Sequence, residues 1–179
     1  MAHEVARRIV HEGPVFAVEV QESVDSDGRP VRRDVVRHKG AVAIVPMLDD
    51  GRLVLIRNFR VAVDQTLWEI PAGGLERGED PQLAAGRELE EETGYKAGRL
   101  DLLGTFYTTP GFADELMHVY VARDLTSVGQ RLEPGEMIEV EPVAADDVFR
   151  MIDDGTIQDA KTIASCLMWD RRRAELAHA

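Results

Sequence analysis

Apolar and polar positions divide the chain into short β-type runs, one strongly acidic helical stretch and two later helices. Residues 5–10 and 15–21 are β-prone and are broken by Gly13-Pro14. Ser26-Asp27-Gly28-Arg29-Pro30 is a turn signal, and residues 31–36 resume the β-type pattern, so residues 15–36 predict a hairpin in a small N-terminal sheet. Residues 40–47 are almost continuously apolar, as a strand buried on both faces would be. Asp49-Asp50-Gly51 is a hairpin turn into a partner strand over 52–59. Residues 67–71 form a further short strand, and Ala72-Gly73-Gly74 reads as a flexible loop.

Asp80 then supplies an N-cap and Pro81 a first helical position. The helix runs to Thr93, where Gly94 offers a left-handed cap. Its apolar face, Leu83, Ala85 and Leu89, is modest. Against it stand Glu88, Glu90, Glu91 and Glu92 around one turn. Like charges at i, i+4 weaken a helix unless a cation sits between them. Either this face is solvated, or it is a site for hard divalent cations, which take oxygen ligands. Further on, strands are expected over 100–108, 116–122 and 137–143, with a loop at 109–112 and a polar irregular stretch over 125–135. A short helix over 145–154 is closed by Gly155, and Asp159 caps a last helix with the stripe Ala160, Ile163, Ala164, Leu167. Strands flanking a few helices predict a mixed α/β/α sandwich.

Composition narrows the partners. The 179 residues suffice for one domain with a core, and 44% apolar with 30% charged residues is ordinary for a globular chain. A net charge of −12 opposes binding to nucleic-acid backbone or an anionic membrane surface. It leaves phosphate substrates open where metal ions mediate the contact. No apolar run approaches the ~20 residues that span a bilayer, and the N-terminus lacks the apolar core of a secretory signal. Cys166 is the single cysteine and cannot form an internal disulfide, which fits a reducing, cytoplasmic setting. Cys166 and Trp68 read as packing residues; His38 and His118 lack a second His or Cys at zinc spacing.

Gly73, five residues, Glu79, seven residues, then Arg87-Glu88-Leu89-x-Glu91-Glu92-x-Gly94 resembles the Nudix box at every fixed polar and glycine position. The last position, usually aliphatic, is Tyr95. The resemblance implies a Nudix-type α/β/α sandwich with a mixed sheet, preceded by a small N-terminal antiparallel β-sheet. It also implies hydrolysis of a diphosphate linked to another moiety, using Mg²⁺ or Mn²⁺, with two or more ions. On the same resemblance Glu88, Glu91, Glu92 and the backbone carbonyl of Ala72 are the metal ligands. Arg87 fixes a box glutamate, and Glu79 organises the loop.

Beyond the box, Pro110-Gly111 lies sixteen residues past Gly94 and resembles the Pro-Gly loop of the family's ADP-ribose pyrophosphatases. That loop continues Phe112-Ala113-Asp114-Glu115, where an acidic catalytic residue is expected: Glu115, with Asp114 as the alternative. A general base there takes a proton from the attacking water. Trp68 through Gly73 and Asp159-Ala160-Lys161-Thr162 extend the same resemblance. Arg33 and Arg60 stand where related enzymes place arginines against the substrate, whose diphosphate suits a forked guanidinium; Arg37 is a substitute for Arg33. Phe16 either stacks on adenine or is buried in its strand.

The expected reaction is hydrolysis of ADP-ribose to AMP and ribose 5-phosphate. One alternative changes the substrate to another nucleoside diphosphate sugar such as GDP-mannose. The other is a non-catalytic ADP-ribose-binding sensor, which the intact glutamates and the nine residues after Asp170 oppose. The expected organisation is an N-terminal β-hairpin region over 1–38, for dimerisation and substrate contact, and a Nudix domain over 39–179. A homodimer through the N-terminal strands follows by the same resemblance.

Overall fold

The N-terminal strands, the apolar strand and the acidic helix all form, and the strands make three separate sheets. A computed structural model describes residues 6–132 and 135–176, so Val5 of the first β-prone run lies outside the described residues. Strands β1 (Ala6–Glu12), β2 (Phe16–Val24) and β3 (Pro30–His38) make an antiparallel sheet. Strands β4 (Ala41–Pro46), β5 (Arg52–Arg60), β6 (Gln65–Glu69) and β7 (Ala72–Gly74) precede helix α1 (Pro81–Thr93). Strands β8 (Tyr95–Tyr107), β9 (Leu116–Ser127) and β10 (Ile138–Ala144) follow, then helices α2 (Ala145–Asp153) and α3 (Ala160–Leu176). The central sheet runs β7-β4-β9-β8, with β4 and β9 parallel and the other pairs antiparallel. The third sheet runs β10-β5-β6.

The sandwich is visible in β4 itself. Val42 and Ile44 point to one face and pack with Ala84, Ala85 and Leu89 of α1. Ala41, Ala43 and Val45 point to the other and pack with Leu53, Leu55, Cys166 and Trp169. Alternation along one strand thus feeds two cores, and a continuous apolar run is what a strand covered on both faces requires. Burial also pushes the Cys166 thiol up to about 12, so it stays protonated and inert.

Four expectations are corrected. Ala72-Gly73-Gly74 is a strand, paired with Ala43, Val42 and Ala41, because β4 offers it a free edge. Leu83 is 71% exposed, and Ala84 takes its place on the buried face of α1. Strands β8 and β9 are longer than expected, because Tyr95 to Arg99 pairs with Arg123 to Ser127 as a two-stranded ribbon. The buried face of α3 is Thr162, Ser165, Cys166 and Trp169, while Leu167 is 44% exposed. Polar contacts at its start turn the helix: Asp159 accepts the Thr162 N–H, and the Thr162 hydroxyl accepts the Ile70 N–H at 2.9 Å.

The capping signals of α1 hold in detail. The Asp80 carboxylate accepts the N–H groups of Gln82 and Leu83, and Gly94 closes the helix at φ +72°. A Cβ on Gly94 would lie 2.6 Å from the backbone nitrogen of Gln130. Gly94→Ala therefore combines left-handed strain with a backbone clash, and is expected to cost about 2 kcal/mol or more. A lowered urea midpoint with an unchanged slope would register it.

The N-terminal sheet touches the body along β3. Val36 donates its N–H to the Phe112 carbonyl at 2.7 Å and accepts the Asp114 N–H at 3.1 Å. Arg37 joins Asp114 at 2.8 Å and Glu19 at 2.6 Å. Ile9, Val10, Val15, Phe16 and Val24 of this sheet and its β1–β2 turn are exposed.

Candidate active site

Strand β7 and helix α1 bring the acidic residues against a glycine-rich backbone. The Ala72 N–H donates to Glu92 Oε2 at 2.8 Å. Beside it, Glu88 lies so close over Gly73 that a Cβ there would land in its carboxylate. Glycine at 73 is therefore a requirement of packing against Glu88. A cavity of about 430 Å³ opens at this point, lined by Glu88, Glu92, Glu136, Arg60, Arg87 and residues 72–76. A second, of about 550 Å³, shares Val15, His38, Arg60 and residues 72–74 with it and continues to Glu69, Thr108, Thr109, Glu115 and Lys161. Together they form one cleft with an acidic end and a mixed-charge end.

Glu92 is nearly buried, and desolvation pushes its carboxyl up to about 8; the Ala72 N–H lowers it, while the charges of Glu88 and Glu136 raise it again. A buried carboxylate in that condition is short of positive charge. The charge of Arg60 supplies part of it, while Arg87 donates to Glu79 at 3.2 Å, Glu88 at 2.8 Å and Glu91 at 3.1 Å. The pKa of Arg87 is raised, first by the Glu79 hydrogen bond and then by Glu88. Glu79 is held below its usual range by Arg87, and also accepts the Glu76 N–H at 2.8 Å. Among the described residues, no three acidic, His or Cys side chains stand close enough to grip an ion as they are placed. The donor set nonetheless suits Mg²⁺ or Mn²⁺: oxygen ligands, an under-compensated buried carboxylate, and a cleft open to a phosphorylated ligand.

The cleft gathers some of the sequence candidates and leaves others out. Ala72, Glu88, Glu92, Arg60, Arg87 and Glu115 line it. Glu91 does not, being held by Arg87 beside it. Pro110 and Gly111 are exposed at the turn before Glu115. Arg33 is exposed on the outer sheet opposite Gln21, and Phe16 is 43% exposed near His11. Asp114 is committed to the Arg37 guanidinium and the His38 N–H. Burial alone would raise its pKa, but those two partners hold it low. Glu115 accepts the Thr108 hydroxyl at 2.6 Å, and its other oxygen is 3.7 Å from His38 Nδ1.

Three site residues carried no sequence signal strong enough to single them out. Glu136 sits in a polar stretch without periodicity. Glu69, though part of Trp68 through Gly73, gave no hint of its partners. Lys161 was one letter in a longer match. In the structure Glu69 is 1% exposed and accepts Arg60 Nε at 2.7 Å and Nη2 at 2.6 Å. It also accepts Lys161 Nζ.

Comparison with known proteins gives the family and the fold. The NUDIX domain model matches residues 37–166. The chain is 39% identical over 160 residues to the ADP-ribose pyrophosphatase of Bacillus subtilis (strain 168), covering 88% of this chain and 86% of that protein. It is 36% identical over 156 residues to the methanol dehydrogenase activator of Bacillus methanolicus, covering 86% and 84%. A crystal structure of an ADP compounds hydrolase superposes with a TM-score of 0.82 at 25% identity, over 98% of this chain and 96% of that one.

Proposed function

This chain belongs to the Nudix family, and we propose that it hydrolyses the diphosphate bond of ADP-ribose, giving AMP and ribose 5-phosphate. The observation that carries the reading is the shared cleft: Glu88, Glu92 and Glu136 face Arg60 and Arg87 in one cavity. A diphosphate joined to a nucleoside on one side and a sugar on the other needs such a mixture.

Glu88, Glu91 and Glu92, with the Ala72 carbonyl, are assigned to hold Mg²⁺ or Mn²⁺. Glu91 would first leave Arg87. Such ions neutralise a bound diphosphate and lower the pKa of an attacking water. The chain's own residues do the rest. Arg87 sets the rotamer of Glu88. Arg60, whose Nη1 makes no hydrogen bond among the described residues, presents a donor to the substrate. Glu136 shares the cavity with Glu88 and Glu92 and is assigned the general base, ahead of Glu115 in the adjoining cavity. Water adds across the P–O–P bridge. One phosphate gains its oxygen, the other keeps the bridging oxygen, and Glu136 takes the proton.

Turnover of ADP-ribose, GDP-mannose and diadenosine polyphosphates with Mg²⁺ ranks the substrates. ADP-ribose is expected to give the highest kcat/KM. If GDP-mannose were preferred, the alternative nucleotide sugar would replace it, and no turnover of any would favour a binding protein.

The region over 1–38 is assigned to dimerisation, because its exposed Ile9, Val10, Val15 and Val24 have no cover in one chain. Arg33 and Phe16, both off this chain's cleft, would then reach the other subunit's substrate. Light scattering is expected to give twice the 19.9 kDa chain mass; a single-chain mass would remove the assignment. No helix among the described residues is long and apolar enough to cross a membrane. With its lone buried thiol, the protein is assigned to the cytoplasm.

A further inference from the structure

We propose that Lys161 is a positioning residue for substrate binding, acting through Glu69 to hold the Arg60 guanidinium at the cleft. The proposal rests on the reading of that cleft as a nucleotide-sugar site. Arg60 pairs with Gln65 at the turn end of the β5–β6 hairpin and Glu69 with Ile56 four positions along, so the Arg60 side chain extends along the hairpin to reach Glu69. Each Glu69 oxygen takes one Arg60 donor, and Oε2 takes Lys161 as well. Lys161 is also 2.9 Å from Asp159 Oδ2, the oxygen that caps α3 through Thr162. Two carboxylates and two cations therefore balance in a group whose members, Arg60 excepted, are largely desolvated.

The balance decides where Arg60 goes. Asp159 already attracts it, since the charge of Asp159 contributes to the raised pKa of Arg60 after the Glu69 hydrogen bonds. Without Lys161, Glu69 and Asp159 would compete for one guanidinium. The planar fork can then serve Asp159 only by giving up part of its two-point hold on Glu69, which sets its direction in the cleft. Lys161 thus lets Arg60 stay on Glu69 with Nη1 available. Helix α3 contributes to binding in this way through a residue at the cleft wall that acts on Arg60 by way of Glu69.

Kinetics and NMR test the chain of contacts separately. Lys161→Met is expected to raise KM for the nucleotide sugar by about 10–100-fold, the scale of a misplaced binding group, with kcat within about 3-fold of wild type. Lys161→Arg is expected to restore most of the loss. In an Arg60→Ala background, Lys161→Met should have no further effect on KM, because the residue acts through Arg60. Independently of substrate, the Arg60 Nε–H resonance should be protected from solvent exchange in the wild type and lose protection in Lys161→Met. Equal KM effects in both backgrounds would mean that Lys161 touches substrate itself and would overturn the proposal. So would a lowered melting temperature with KM unchanged. If Lys161→Met does not fold, Lys161→Gln keeps a donor to Glu69 without the charge and takes its place. Should the wild type turn over no nucleotide sugar, the functional reading fails and the Arg60 resonance alone decides: unchanged protection overturns the relay.

Discussion

Glu92→Gln is expected to abolish most metal-dependent activity and, in the same protein, to raise the melting temperature measured in chelator at alkaline pH. The loss should exceed the ~10–100-fold typical of removing a partner one shell outside a metal ligand. The gain follows from burial. Glu92 is pushed up to about 8, against 4.5 for an ordinary glutamate, chiefly by desolvation. Folding thus favours its protonated form. Below pH ~4.5 the carboxyl is neutral in folded and unfolded chains alike, and its burial costs nothing through ionisation. As pH rises toward 8 the unfolded chain releases the proton first, so stability contributed by the raised pKa is lost across that window. Glutamine keeps an acceptor for the Ala72 N–H and carries no charge. At pH 9 without metal it should be the more stable by about 5 kcal/mol, or roughly 10–20 °C in Tm. Near pH 5 the two proteins should melt together. A difference that does not change between pH 5 and 9 would discard the desolvation argument, and retained activity would discard the metal role.

The second large effect is expected at Glu136. Glu136→Gln should lower kcat by about 10²–10⁴-fold with little change in KM, as removal of a general base does. Glu115→Gln is expected to lose less than about 10-fold, because Glu115 lies in the adjoining cavity and is engaged by Thr108. The pH profile of kcat separates the two: the acidic limb should vanish in the base variant only. If Glu115→Gln suffered the greater loss and the altered profile, the base would be Glu115 and Glu136 would serve the charge balance around Glu92.

The legible parts of the chain were those governed by local rules. Asp80-Pro81 and Gly94 delimit α1 to the residue because capping depends on neighbours in sequence. The run over 40–47 identified a strand covered on both faces because burial on two sides leaves an apolar record. Parts set by distant partners left little trace. Ala72-Gly73-Gly74 has no β-propensity of its own, and it is a strand because β4 has an edge there. The buried face of α3 departs from its apolar stripe because Asp159, Lys161 and Thr162 fasten the helix to Glu69 and Ile70, contacts across some ninety residues. Glu136 shows the same gap at the site. A lone acidic residue in a polar stretch is unremarkable in sequence, and only the fold carries it to Glu88 and Glu92.

Arg87 also bears on the order in which the molecule is assembled. A zinc finger stays unfolded until its metal arrives, because nothing else satisfies its ligands. Here a covalently attached cation already bridges Glu79, Glu88 and Glu91. The acidic turn can therefore form during synthesis, whatever the supply of ions around it. Loading then becomes an exchange of one positive group for another on a finished scaffold. Chelation should silence such a protein reversibly and leave it folded, ready to be recharged.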